Sequence, residues 1–98
     1  MSIPPRLTES EVAERLPTVP EWGVVNGALH RVFAFADFIG AMRFVNQVAV
    51  AAEKAAHHPD MNIRYNKVTL GFITHDSGGL TGLDFDGARS ADGFLSVE

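Results

Sequence analysis

The sequence predicts an α+β domain, a four-stranded antiparallel sheet with three helices packed on one face, in the order α-β-β-α-β-β-α. Three observations carry this. A long stretch of helical spacing runs from Asp37 to about His57, and a pair of β-prone runs lies on each side of it. A threonine-led helix start, Thr8 before the first pair and Thr81 after the second, stands outside both. Paired strands alternating with single helices are the pattern of a layered α+β domain.

Taken in order, Thr8-Glu9-Ser10-Glu11 fits a capping box, with Thr8 taking the third amide and Glu11 reaching back to the cap. Val12, Ala13 and Leu16 would form the buried side of this helix, and Pro17 closes it. Trp22-Gly23-Val24-Val25, Asn26-Gly27 and Ala28 to Phe35 then read as a hairpin, because both turn residues tolerate positive φ. Leu29, Phe33 and Phe35 share one face with Arg31 between them; His30, Val32 and Ala34 take the other, which makes His30 a plain strand residue.

Asp37 is the expected N-cap of the long helix. Phe38, Met42, Val45, Ala49, Ala52 and Ala56 follow its three- and four-residue spacing as an apolar stripe, of which Phe38, Met42 and Val45 are expected in the core. A second hairpin follows, Met61 to Tyr65 and Val68 to Thr74, turning at Asn66-Lys67. Val68, Leu70, Phe72 and Thr74 lie on one of its faces, and Thr69, Gly71, Ile73 and His75 on the other. Ser77-Gly78-Gly79 ends the strand, and Thr81-Gly82-Leu83-Asp84 is a second capping box that opens the last helix.

At 98 residues the chain has room for one core, so a single domain over 1–98 is expected. An apolar fraction of 46% with seven phenylalanines argues for a folded chain. Cysteine is absent, which excludes disulfides and thiolate metal sites and fits an intracellular, cytoplasmic protein. No apolar run approaches the roughly 18 residues of a membrane span, and Met1 to Arg6 lacks a signal-type apolar region. A net charge of −4 with mixed signs gives no basic stripe for nucleic acid.

The chemistry concentrates at Glu53-Lys54-Ala55-Ala56-His57-His58-Pro59-Asp60, where the helical pattern runs into a proline. The residue before proline is pushed out of the α region, so His57 stays on the last helical turn while His58 turns extended. Glu53, four residues before His57, can reach it on the same face. Three readings are open for His57, His58 and His75: satisfied structural residues, zinc ligands, or acid–base groups poised near neutrality. Adjacent histidines rarely converge on one ion, and an orienting carboxylate at Glu53 favours proton transfer. Asp84 is either the third residue of its capping box or a support for His75.

These residues carry a resemblance. Glu53-x-x-x-His57-His58-Pro59, Tyr65-Asn66-Lys67-Val68, Leu70, Thr74-His75-Asp76, Gly79-Leu80-Thr81, Asp84 and Ala88 resemble the pterin-4a-carbinolamine dehydratases, as do Trp22, Arg31, Phe33 and Phe35. The resemblance implies the same α+β fold and a dehydratase that converts 4a-hydroxytetrahydropterin to quinonoid dihydropterin in pterin recycling. It implies no metal or organic cofactor. His57, His58 and His75 would be catalytic, with Glu53 and Asp84 supporting and Pro59 and Thr74 contributing to the pterin site. Met61 stands where many relatives carry an aromatic residue. A homodimer or homotetramer is implied. The alternative on the same fold is a non-catalytic role, as a dimerisation cofactor or assembly chaperone.

Overall fold

The computed structural model describes residues 3–97; Met1, Ser2 and Glu98, the ends of the expected 1–98 domain, lie outside them. The element order is α1 (Glu9–Arg15), β1 (Gly23–Val25), β2 (Ala28–Ala34), α2 (Phe38–Ala55), β3 (Asp60–Arg64), β4 (Lys67–Phe72) and α3 (Gly82–Gly93). Short 3-10 turns at Leu16–Thr18, His75–Ser77 and Phe94–Val97 complete it. The sheet runs β1-β2-β4-β3 and every pairing is antiparallel, the fold class that the sequence predicts.

Both capping boxes form. Thr8 Oγ1 accepts from Glu11 N, and Glu11 Oε1 accepts from Thr8 N. These bonds from Thr8, the backbone one first, hold the Glu11 carboxyl below its ordinary range. Val12 and Leu16 pack partly against the core, whereas Ala13 is exposed, contrary to expectation. At the first hairpin Asn26 and Gly27 both take positive φ, 50° and 82°, which matches the turn to the strand twist.

Asp37 caps α2 by accepting from Gly40 N at 2.8 Å. The buried stripe of α2 is Ala41, Phe44, Val45, Val48 and Ala52. Of the expected stripe only Val45 and Ala52 are buried: Met42 is partly so, and Phe38, Ala49 and Ala56 are exposed. Alanines crowd both candidate faces, so spacing alone does not choose between them. Phe44 decides, because its ring packs on Phe33 at 4.5 Å and on Phe35 at 5.1 Å between centroids.

The second hairpin turns one residue early, at Tyr65-Asn66, with Arg64 paired to Lys67 and Tyr65 at φ 52°. Asn66 fixes that position: its side-chain amide donates to Phe35 O, and its carbonyl accepts from Phe35 N. The helix-facing side of the sheet carries Leu29, Phe33, Val68, Leu70 and Phe72, all buried. His30 lies on the opposite side, facing Gly71 in the register, as a strand residue.

The glycines in α3 do not prevent the helix, and one of them is required. A Cβ at Gly87 would sit 2.5 Å from the Phe72 ring, so α3 approaches β4 as closely as its backbone allows. At the far end Asp92 accepts from Trp22 Nε1 and from Arg31, tying α3 to β2 and to the residue just before β1. Among the described residues no helix is long and apolar enough to cross a membrane.

Candidate active site

The site begins where α2 stops. Ala56 takes a left-handed conformation, φ 53°; its amide donates to Glu53 O and the amide of His57 donates to Ala52 O. This six-to-one and five-to-two pattern closes the helix and leaves His57 outside it, a correction to its expected place on the last turn. The reversal, followed by Pro59, sends the two rings apart. His57 turns inward, its side chain 12% exposed, while His58 remains 59% exposed.

Each imidazole meets a carboxylate, though not the expected one. His58 Nε2 lies 2.7 Å from Glu53 Oε1, so Glu53 reaches His58 rather than His57. The turn at Ala56 rotates His57 off the helical face that a four-residue spacing assumes. His57 Nε2 instead lies 2.6 Å from Asp84 Oδ1. Asp84 therefore contacts His57 and not His75, and it does so from inside its capping box, so the expected capping role holds and the expected partner is corrected.

Asp84 is fully buried, and its charge is met from every side. Oδ2 accepts from the Thr74 hydroxyl at 2.8 Å and from Thr81 N at 2.9 Å. A buried carboxylate persists only when its lone pairs are satisfied in this way. Thr74 is itself buried, its hydroxyl committed to Asp84 and to Thr81 Oγ1 at 2.8 Å. The His57 ring stacks on Phe72, 6.2 Å between centroids at 22°.

β4 ends at Phe72, and the β3–β4 ladder stops at the pair Asp60↔Gly71. Beyond that pair the hairpin is open, with His57, His58 and Pro59 on one lip and Ile73, Thr74 and His75 on the other. His75 lies exposed in the 3-10 turn that follows. Its loop is pinned from the N-terminal side, since Ser77 Oγ donates to Pro4 O and Leu7 N donates to Leu80 O. Asp84 joins His57 to Thr74 and Glu53 pairs with His58, while Pro59 follows His58 and His75 follows Thr74 along the chain.

A hollow reaches His57 at this corner. It holds about 500 Å³, counting its solvent-open part, between α2 and α3. Ala52, Ala55, Phe72, Leu83 and Gly87 line it, with His57 in the wall and Asp86 and Ser90 as polar neighbours. Neither His58 nor His75 belongs to that wall. Among the described residues, no group of three or more histidine, aspartate or glutamate side chains is placed to hold a metal ion. Sequence reasoning missed the parts played by Thr81 and Phe72; the Thr81-Asp84 box was visible, but nothing local connects it to His57.

The fold and this corner define a small α+β domain in which a buried carboxylate meets an inward-turned imidazole, with exposed imidazoles at His58 and His75. The family model described as pterin 4 alpha carbinolamine dehydratase matches residues 5–94, and the chain belongs to that family. A protein of Acidobacterium capsulatum with the provisional name pterin-4-alpha-carbinolamine dehydratase is 50% identical over 90 residues, covering 92% of this chain and 98% of that one. A similarly named protein of Picosynechococcus is 49% identical over 87 residues, covering 89% of this chain and 95% of that one. The crystal structure of a transcriptional coactivator/pterin dehydratase from Brucella melitensis superposes with a TM-score of 0.87 at 41% identity, covering 90% of this chain and 96% of that one.

Proposed function

We propose that the protein removes water from 4a-hydroxytetrahydropterin, releasing quinonoid dihydropterin for reduction and reuse. Cleavage of the C4a–O bond needs a proton delivered to the leaving hydroxyl and another removed from a ring nitrogen. Groups of near-neutral pKa do both and contribute about 10²–10⁴-fold each. His57 is the acid on the leaving hydroxyl, His75 the opposing base or anchor, and His58 an alternate acid. Glu53 and Asp84 orient their imidazoles, and Pro59 and Thr74 shape the two lips of the hairpin.

The single observation that carries this reading is the pair His57–Asp84, 2.6 Å apart with the carboxylate wholly buried. The capping box of α3 accounts for Asp84 Oδ2, but it does not call for Oδ1 to be turned to an inward-facing imidazole. The reading includes a homodimer or homotetramer as the working form. The test is the dehydration of synthetic 4a-hydroxytetrahydropterin, followed across pH for the unaltered protein and for His57→Ala, His58→Ala and His75→Ala. The unaltered protein is expected to accelerate water loss and each variant to slow it. Equal turnover in all four ends the proposal.

A further inference from the structure

The hydrogen bonds behind Asp84 have a direction, and the direction reaches His57. An ionised carboxylate only accepts, so the single proton of the Thr74 hydroxyl goes to Asp84 Oδ2. Thr74 Oγ1 then has only lone pairs to offer Thr81 Oγ1, so the Thr81 hydroxyl donates to it across their 2.8 Å contact. Thr81 is suited to this, because its own oxygen accepts from Leu83 N at 3.2 Å. The chain therefore runs one way: Leu83 N–H to Thr81, Thr81 to Thr74, Thr74 to Asp84.

At the other end, Asp84 Oδ1 accepts as well, and its partner is His57 Nε2. In a neutral imidazole the nitrogen that donates carries the only proton, and the other is a free acceptor. No described group pairs with His57 Nδ1, and no buried side-chain nitrogen or oxygen among the described residues lacks a partner. Nδ1 is accordingly open to solvent, although the ring as a whole is mostly covered.

We propose that His57 is held as its Nε2–H tautomer and exchanges protons with a bound ligand through Nδ1. Thr74, backed by Thr81, is the positioning residue that keeps Asp84 turned to accept from it. Only the identity of the ligand rests on the dehydratase reading; the tautomer does not. It also assigns the Thr74 hydroxyl to positioning, so any part that Thr74 plays in holding a pterin falls to its backbone.

The test is the tautomer itself, read by long-range ¹H–¹⁵N correlation on protein labelled with ¹⁵N-histidine, without substrate, at a pH where His57 is neutral. The unaltered protein is expected to show Nε2–H. In Asp84→Asn the amide oxygen is expected to take the Thr74 and Thr81 donors, which turns the NH₂ toward His57 and flips the ring to Nδ1–H. Adding Thr74→Val removes one of the two donors that fix the amide, so both tautomers become populated; adding Thr74→Ser instead restores the full flip.

An Nδ1–H tautomer in the unaltered protein overturns the proposal without any variant having to fold, as does one tautomer shared with Asp84→Asn. A flip that persists unchanged with Thr74→Val removes Thr74 from it. If Nε2–H is seen but the protein does not dehydrate the pterin, the functional reading falls and this one stands. If the protein dehydrates the pterin with His57 as Nδ1–H, the tautomer assignment falls and the functional reading stands.

Discussion

Glu53 and His58 form a contact of 2.7 Å on the open surface, where the carboxylate is 79% exposed and the imidazole 59%. The neighbouring pair, His57 and Asp84, is as close but sits against a fully buried carboxylate. Two adjacent histidines thus meet two carboxylates under opposite solvation. Solvent-exposed pairs contribute at most about 1 kcal/mol, whereas removing one partner of a buried pair costs about 3–5 kcal/mol. Glu53→Gln is expected to leave the urea midpoint nearly unchanged, and His57→Ala, which leaves the buried Asp84 carboxyl short of a partner, to lower it clearly. Equal midpoints for the two variants would show that Asp84 is not a buried anion dependent on His57.

The approach of α3 to the sheet gives a second prediction. Gly87→Ala places a methyl against the Phe72 ring at a separation real Cβ atoms do not adopt. Overpacking of this kind costs about 1–3 kcal/mol, and the ring displaced is the one on which His57 stacks. Chemical denaturation is expected to show the loss, and Phe72→Leu in the same chain to recover part of it. A Gly87→Ala protein of unaltered stability would contradict the packing.

Asp92 joins elements far apart in the chain, accepting from Trp22 Nε1 at 2.9 Å and from Arg31 at 2.7 Å. Trp22 is buried, so Asp92→Ala leaves its indole N–H without a partner. Such an orphaned donor costs about 1–3 kcal/mol. Asp92→Asn keeps an acceptor for the indole and is expected to lose less, as judged by thermal unfolding. Equal losses in the two variants would mean that the carboxylate charge facing Arg31, and not the indole, governs the contact.

Glu11 gives the acid response a definite sign. Its folded-state pKa is lowered by the bonds from Thr8, so the box contributes stability above the unfolded-state value. That contribution is lost as pH falls through the lowered folded-state value. Glu11→Gln is expected to remove this pH dependence from the start of α1 while keeping an acceptor for Thr8 N, as followed by the Thr8 amide resonance in acid titration. A Thr8 resonance that titrates identically in both proteins would contradict the capping box.

The capping boxes at Thr8 and Thr81 and the Asn26-Gly27 turn were legible in the sequence because each is decided within four residues. The face of α2 was not, because that choice depends on Phe44 meeting Phe33 and Phe35, which belong to the preceding strand and its exit. The Tyr65-Asn66 turn was set in the same way by a bond from Asn66 to Phe35. At the site, the sequence put His57, His58, Glu53 and Asp84 forward as candidates, and the structure pairs each of these imidazoles with a carboxylate. Which carboxylate serves which imidazole was not legible, because it turns on the left-handed residue Ala56 and on Thr74 and Thr81 meeting across a loop.

The central claim is that imidazoles on the two lips of the β3–β4 hairpin act on one substrate ring. A double-mutant cycle in kcat/KM for pterin dehydration, with His57→Ala, His75→Ala and both together, tests it most directly. The expected result is strong coupling: each single change costs about 10²–10⁴-fold, and the double change costs little more than the worse single one. Losses that simply multiply, or no loss in either single variant, would contradict it.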